Sequence, residues 1–177
     1  MKYSLPDLER RWLVRTEDAR AIAAAAGARL IEDRYLDGTR LRLRRVTSPE
    51  GGIIRKLTKK YAPVAATATA AATPHASTNI YLTEAEFELF SALPGWPLRK
   101  HRHLREHAGV QYAIDVFEGE LRGLVLTEVE LPDALALAGV APPPWAKAEV
   151  SDDPAFTGAA LARLDATSLA RILAVAP

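Results

Sequence analysis

Residues 6–14, Pro6-Asp7-Leu8-Glu9-Arg10-Arg11-Trp12-Leu13-Val14, set how the rest of the chain is read. In an extended strand, residues i, i+2 and i+4 share one face, so Asp7, Glu9 and Arg11 point the same way. The same alternation returns at 39–46 (TRLRLRRV), where Arg40, Arg42 and Arg44 lie on one face with Leu41 and Leu43 behind them. Lys56, Thr58 and Lys60 form a third row, and Lys100 and Arg102 a fourth. Glu128 and Glu130 form a fifth, backed by Val129 and Leu131. A single row of this kind is what any antiparallel sheet with one wet face displays. Five rows with apolar backs predict that the charged faces line one common concave surface. Several carboxylates among many Lys and Arg suit a polyanion held partly through a cation. Carboxylates take Mg²⁺ or Mn²⁺ with several waters retained, while arginine forks and lysine point charges neutralise phosphate oxygens.

The elements around these rows follow from local signals. Residues 3–14 read as a first strand and 16–26 as a helix, with Thr16 as N-cap and Gly27 as its stop. A hairpin is predicted at 29–36 and 39–46 about Asp37-Gly38, followed by a strand at 53–61. The Ala/Thr/Pro-rich stretch 62–76 reads as a mobile loop, and 77–82 as extended. Thr83 and Glu86 form a capping box for a helix at 84–92. Strands at 98–105, 110–117 and 122–131 come next, then a helix at 133–138, a Pro142-Pro143-Pro144 turn and helices at 154–164 and 166–174. This pattern predicts a single α+β domain over residues 1–177, built around an antiparallel sheet of about eight strands. Helices and strands do not alternate one by one, which argues against a parallel doubly wound sheet.

Bulk properties exclude more than they assign. With 177 residues, about half hydrophobic and a quarter charged, the chain has the length and balance for one real core. There is no cysteine, so disulfides and thiolate metal centres are ruled out. A net charge of +1 announces neither nucleic-acid nor membrane binding, and neither partner is expected. Met1–Arg11 lacks the apolar core of a signal peptide, and the alanine-rich stretches are too short or too polar to cross a bilayer. A cytoplasmic location is expected. There is no P-loop, no dinucleotide-binding fingerprint and no G-x-S-x-G elbow. His101 and His103, with His107 nearby, could approach a zinc ion, but no third ligand stands at a typical spacing, and a solvent-facing strand edge is expected. Trp12, Trp96 and Trp145 are expected in packing.

The 6–14 stretch resembles the opening E-x-E-R-K-(F/W)-L-V strand of the CYTH, or triphosphate tunnel, family. The similarity continues through Tyr35-Leu36, Leu41-Arg42-Leu43-Arg44, Lys56-Leu57-Thr58-Lys59-Lys60 and Leu98-Arg99-Lys100-His101-Arg102. It resumes at Ile114-Asp115-Val116-Phe117 with Gly119, then Gly123-Leu124, Glu128-Val129-Glu130-Leu131, Pro143-Pro144-Trp145 and Glu149-Val150-Ser151. The resemblance implies an eight-stranded antiparallel barrel whose tunnel holds a triphosphate. It also implies an Mg²⁺- or Mn²⁺-dependent hydrolase acting on inorganic tripolyphosphate. An adenylate-cyclase-like activity on ATP and a binding module without turnover are the alternatives. Carried over residue by residue, Asp7, Glu9, Glu128 and Glu130 would be cation ligands. Arg11, Arg42, Arg44, Lys56, Lys60, Lys100 and Arg102 would grip phosphates, Glu9, Arg11 and Asp115 would serve the chemistry, and a homodimer is compatible with the pattern. Two departures stand out. Asp7 and Arg11 replace the family's Glu and Lys, and His75-Ala76-Ser77-Thr78-Asn79-Ile80 lacks both carboxylates of the family's R-x-E-x-E strand.

Overall fold

A computed structural model of the chain describes residues 5–61 and 75–176, with only the backbone at 5–7 and 75. Its strands are β1 (Leu5–Asp7), β2 (Glu9–Val14), β3 (Arg29–Leu36), β4 (Leu41–Thr47), β5 (Ile53–Lys60), β6 (His75–Tyr81), β7 (Gly95–His107), β8 (Val110–Phe117), β9 (Val125–Glu130) and β10 (Ala146–Glu149). Its helices are α1 (Thr16–Ala23), α2 (Glu84–Ser91), α3 (Ala134–Ala138), α4 (Gly158–Leu161) and α5 (Ala166–Val175). The strands make one antiparallel sheet of ten, in the order β1-β6-β5-β4-β3-β7-β8-β9-β2-β10. Among the described residues the ladder has two ends and does not close on itself, so the eight-stranded closed barrel is not confirmed. β1 and β2 are separated by Leu8 alone, yet they pair with β6 and β9 at opposite ends of the order.

Period-2 alternation decides which face each side chain takes. Behind the charged rows, Trp12, Tyr112, Ile114, Val129 and Trp145 pack into one buried cluster. Leu36, Leu43 and Leu57 pack with Phe87 of α2 in another. The α2 helix is held by its capping box: the Thr83 hydroxyl accepts from Glu86 N at 3.3 Å, and Thr83 N donates to the Glu86 carboxylate at 2.8 Å. A third cluster lies on the charged side. Leu13, Leu98, Phe117 and Leu126 share parity with Arg11, Lys100, Asp115 and Glu128, and they pack against Phe156, Leu161 and Leu169 from the C-terminal residues. One sheet face therefore turns from charged to apolar along its length, and the C-terminal segment covers the apolar end. Each large side chain buried there contributes about 1.5–3 kcal/mol by leaving water.

Several local expectations need correction. The first strand is broken at Leu8, and the four-residue β10 is an additional strand beyond those predicted. Thr16 is the first helical residue of α1, not its cap; Arg15 takes the cap position, drawn in by its N–H to the Trp145 carbonyl at 3.0 Å. β4 starts at Leu41, which leaves Arg40 exposed in the turn and out of the inward row. Most of the 62–76 loop lies outside the described residues, while His75 and Ala76 already belong to β6. The 154–164 helix is a 3-10 turn at Pro154–Phe156 followed by the short α4. Trp12 and Trp145 are buried, but Trp96 is 42% exposed. His103 is no solvent-facing edge residue: β7 lies inside the sheet between β3 and β8, and His103 is buried.

Candidate functional site

A cavity of about 200 Å³ opens on the charged face. Arg42 and Arg44 reach it from β4, Lys56 and Lys60 from β5, Lys100 and Arg102 from β7, and Arg11 from β2. The carboxylates lining it are Glu9, Asp115, Glu128 and Glu130. Every candidate side chain the structure describes thus meets in one place; that of Asp7 lies outside the described residues. Seven cations against four carboxylates leave the lining positive, the sign that a polyanion requires.

The cations are not equivalent. Arg44 grips Asp33 through two bonds of 2.6 Å, with both residues buried, and Arg42 Nε stands 3.9 Å from the same carboxylate. Burial opposes the charged form of Asp33, but Arg44 and Arg42 outweigh it and hold the carboxyl well below its ordinary range. Asp115, on β8 two strands away from Asp33 in the order, does the same. It accepts from Lys100 at 2.5 Å and from two nitrogens of Arg102 at 2.7 Å. Arg102 also reaches Glu128, and Arg11 reaches Glu9 and, at 3.6 Å, Glu128. Burial opposes ionised Asp115 and Glu128; Lys100 and Arg102 at Asp115, and chiefly Arg102 at Glu128, keep both carboxyls depressed. Lys56 differs, since among the described residues no carboxylate bonds to it. Burial first, then Arg44 and Arg42, push it down to about 8. Arg42 Nε is buried without a hydrogen-bond partner among the described residues. Buried polar groups left this way are uncommon and call for a ligand or another account.

The C-terminal segment closes one end. The Phe156 carbonyl accepts from Arg11 Nη1 at 2.6 Å, and a Cβ built on Gly158 would stand 1.9 Å from the Tyr35 hydroxyl. Only a glycine permits that approach. Tyr35, Phe156 and Gly158 all line the cavity.

Asp33 carries no role in the charged-row reading. Its signal was parity with Ile31 and Tyr35, which becomes informative only with the true register, Asp33 opposite Arg44. A two-residue turn at Asp37-Gly38 would have paired Asp33 with Arg42 instead. The residues at the β6 departure do reach the cavity: Ser77 stands opposite Lys60 and Asn79 opposite Thr58, and both line it.

For a cation, the donor chemistry fits. Glu9 lies directly across from Glu130 in the β2–β9 register and Glu128 across from Arg11. Like charges directly opposite each other repel unless something positive intervenes, and carboxylate oxygens suit a hard divalent ion. Among the described residues, no group of three or more His, Asp or Glu is assembled as a metal centre, so neither a His101/His103 zinc site nor a preassembled Glu9, Glu128 and Glu130 site is displayed. His101 is bonded to Glu118 at 2.8 Å instead.

No family model matches the chain, and no curated protein does. Solved structures do match. The inorganic triphosphatase NE1496 is 26% identical with a TM-score of 0.55, the match covering 90% of this chain and 96% of that one. A second structure of NE1496 gives 26% identity and a TM-score of 0.57, over 90% and 99% of the two chains. These likenesses are consistent with the CYTH, or triphosphate tunnel, family: sequence identity is low, but the fold match is strong. Two further matches bear on the fold alone. A candidate adenylate cyclase from Bacillus halodurans has a TM-score of 0.52 at 14% identity over 76% and 85% of the chains. The PH1012 protein from Pyrococcus horikoshii OT3 has a TM-score of 0.50 at 17% identity over 75% and 83%.

Proposed function

We propose that this protein is a CYTH-type, divalent-cation-dependent triphosphatase, acting on inorganic tripolyphosphate with slow turnover. The observation that carries the reading is the convergence of seven cationic side chains from four strands on one cavity. The likeness to the inorganic triphosphatase NE1496 over nearly its whole length supports it. We take the sheet as a tunnel wall, completed where the chain passes from β1 to β2 through Leu8.

Phosphoryl transfer asks little covalent chemistry of the protein; it needs charge neutralisation and alignment. Arg42, Lys56 and Lys60 would take phosphate oxygens, Arg11 and Arg102 would turn to them from their carboxylates, and Arg44 and Lys100 would hold the floor positive. Asp33 and Asp115 position those cations. Glu9, Glu128 and Glu130, with Asp7, would hold Mg²⁺ or Mn²⁺, which when bound neutralises phosphate charge and supplies an activated water. No described side chain takes the role of general base. Ser77 and Asn79 stand in the cavity wall where the family pattern places carboxylates, and this favours a second reading, a triphosphate-binding module without turnover. No described helix is long and apolar enough to cross a membrane.

The test is phosphate release from tripolyphosphate, ATP and thiamine triphosphate with Mg²⁺ or Mn²⁺. Release from tripolyphosphate slower than the usual range of about 1–10³ per second is expected. Binding without any release would favour the module, and absence of binding to all three would sink both readings.

Lys56 makes the grip pH-dependent. It is charged below its depressed value of about 8 and neutral above it, so its attraction for phosphate is complete at pH 6 to 7 and fades as pH rises through that value. Tripolyphosphate gains charge over the same range, and a Lys56→Met protein removes that contribution from the comparison. The ratio of wild-type to Lys56→Met affinity, measured by calorimetry, should fall as pH goes from 7 to 10. A ratio constant with pH would exclude Lys56 as a phosphate contact.

A further inference from the structure

Where the family pattern has two carboxylates on β6, this chain has a hydroxyl and an amide, and the bonding around the amide has a direction. Arg42 Nη2 donates to the Thr58 hydroxyl at 3.3 Å. A guanidinium has no acceptor to offer, so the Thr58 proton must go elsewhere, and it goes to Asn79 Oδ1 at 2.7 Å. Thr58 is 1% exposed, which leaves this hydroxyl no competing water. The carbonyl end of Asn79 is therefore spoken for. Asn79 is exposed and lines the cavity, so its Nδ2, with two donor hydrogens, is open to solvent there and available to a ligand. Ser77 lies two residues away on the same strand face, opposite Lys60.

We infer that Asn79 is a phosphate ligand: its amide nitrogen, oriented by the Arg42–Thr58 relay, donates to an oxygen of the bound triphosphate, so that this wall binds anion directly where a carboxylate wall would bind it through a cation. The inference rests on the triphosphate reading above. A free amide N–H repels a metal ion and invites a phosphate oxygen, which is the opposite preference from a carboxylate. Any cation is thereby confined to the Glu9, Glu128 and Glu130 side, and part of the triphosphate is held with no metal present.

The experiment is calorimetric titration of inorganic tripolyphosphate in EDTA, on wild-type protein and on Asn79→Ala and Asn79→Asp variants whose circular dichroism and melting match wild type. Loss of a hydrogen bond to a charged group should weaken Asn79→Ala about tenfold or more. Asn79→Asp keeps the shape but replaces donors with negative charge. It should bind on the order of a hundredfold more weakly in EDTA, by the lost donor and added repulsion, and should regain affinity when Mn²⁺ is supplied. Equal metal-free affinity of wild type and Asn79→Ala overturns the inference while leaving the triphosphate reading intact. Asn79→Asp binding as tightly as wild type in EDTA overturns it as well. Wild type that fails to bind tripolyphosphate, with or without Mn²⁺, overturns the functional reading itself.

Discussion

Asp33→Ala should cost about 3–5 kcal/mol of stability, the usual result of removing one partner from a buried ion pair. For a chain of this size that corresponds to a fall in melting temperature of roughly 6–20 °C. The reason is the company that Arg44 keeps. Arg44 is 8% exposed, and its two 2.6 Å bonds to Asp33 are its direct compensation for leaving water. Arg42 and Lys56 stand close enough to be felt electrostatically, so without Asp33 a buried cation faces other cations. Replacing both members, as Asp33→Ala with Arg44→Met, removes the unpaired charge and should recover most of the loss. Thermal melts of the single and double variants decide it. A single variant that loses under about 1 kcal/mol, or a double variant no more stable than the single, would show that the pair is not what holds this floor together.

The second large effect is coupling between cation and triphosphate. Two of the carboxylates that would meet a metal are already paired, Glu9 with Arg11 and Glu128 with Arg102, with Arg11 nearby. A cation alone must compete with those guanidinium groups. A triphosphate draws them away, and the carboxylates become available at the moment a polyanion needs neutralising. Tripolyphosphate should therefore raise the affinity for Mn²⁺ by about 5–150-fold, the ordinary span of coupling between two sites, and Mn²⁺ should raise triphosphate affinity by the same factor. Arg11→Gln gives a version free of metal chelation by the substrate. Relieved of its guanidinium, Glu9 should bind Mn²⁺ about tenfold more tightly in the absence of triphosphate, while tripolyphosphate binding weakens. Mn²⁺ titrations at buffered free-metal concentration read both effects. Unchanged Mn²⁺ affinity in Arg11→Gln would mean that Glu9 is not a metal ligand.

The alternation of charge along the strands determined more than the elements themselves. Parity alone put Arg42 with Arg44, Lys56 with Lys60, Lys100 with Arg102 and Glu128 with Glu130, because a strand has only two faces. Those pairs do meet in one cavity. The capping box at Thr83 was legible for a similar reason, since both of its bonds lie within one turn of chain. What parity cannot supply is which strand lies beside which. The β3–β4 register that sets Asp33 against Arg44 depends on a turn longer than Asp37-Gly38 advertises, and the sequence offered Asp33 no distinction from its neighbours. Ser77 and Asn79 were visible as missing acids. That Asn79 turns its amide by way of Thr58 and Arg42 follows only from three strands being placed side by side. The closing of the cavity by Phe156 and Gly158 joins residues more than a hundred positions from Tyr35. Local patterns of side-chain type decide which face a residue takes, and so were readable in the chain; register, partner choice and long-range closure are settled by packing between distant segments, which only the tertiary structure decides.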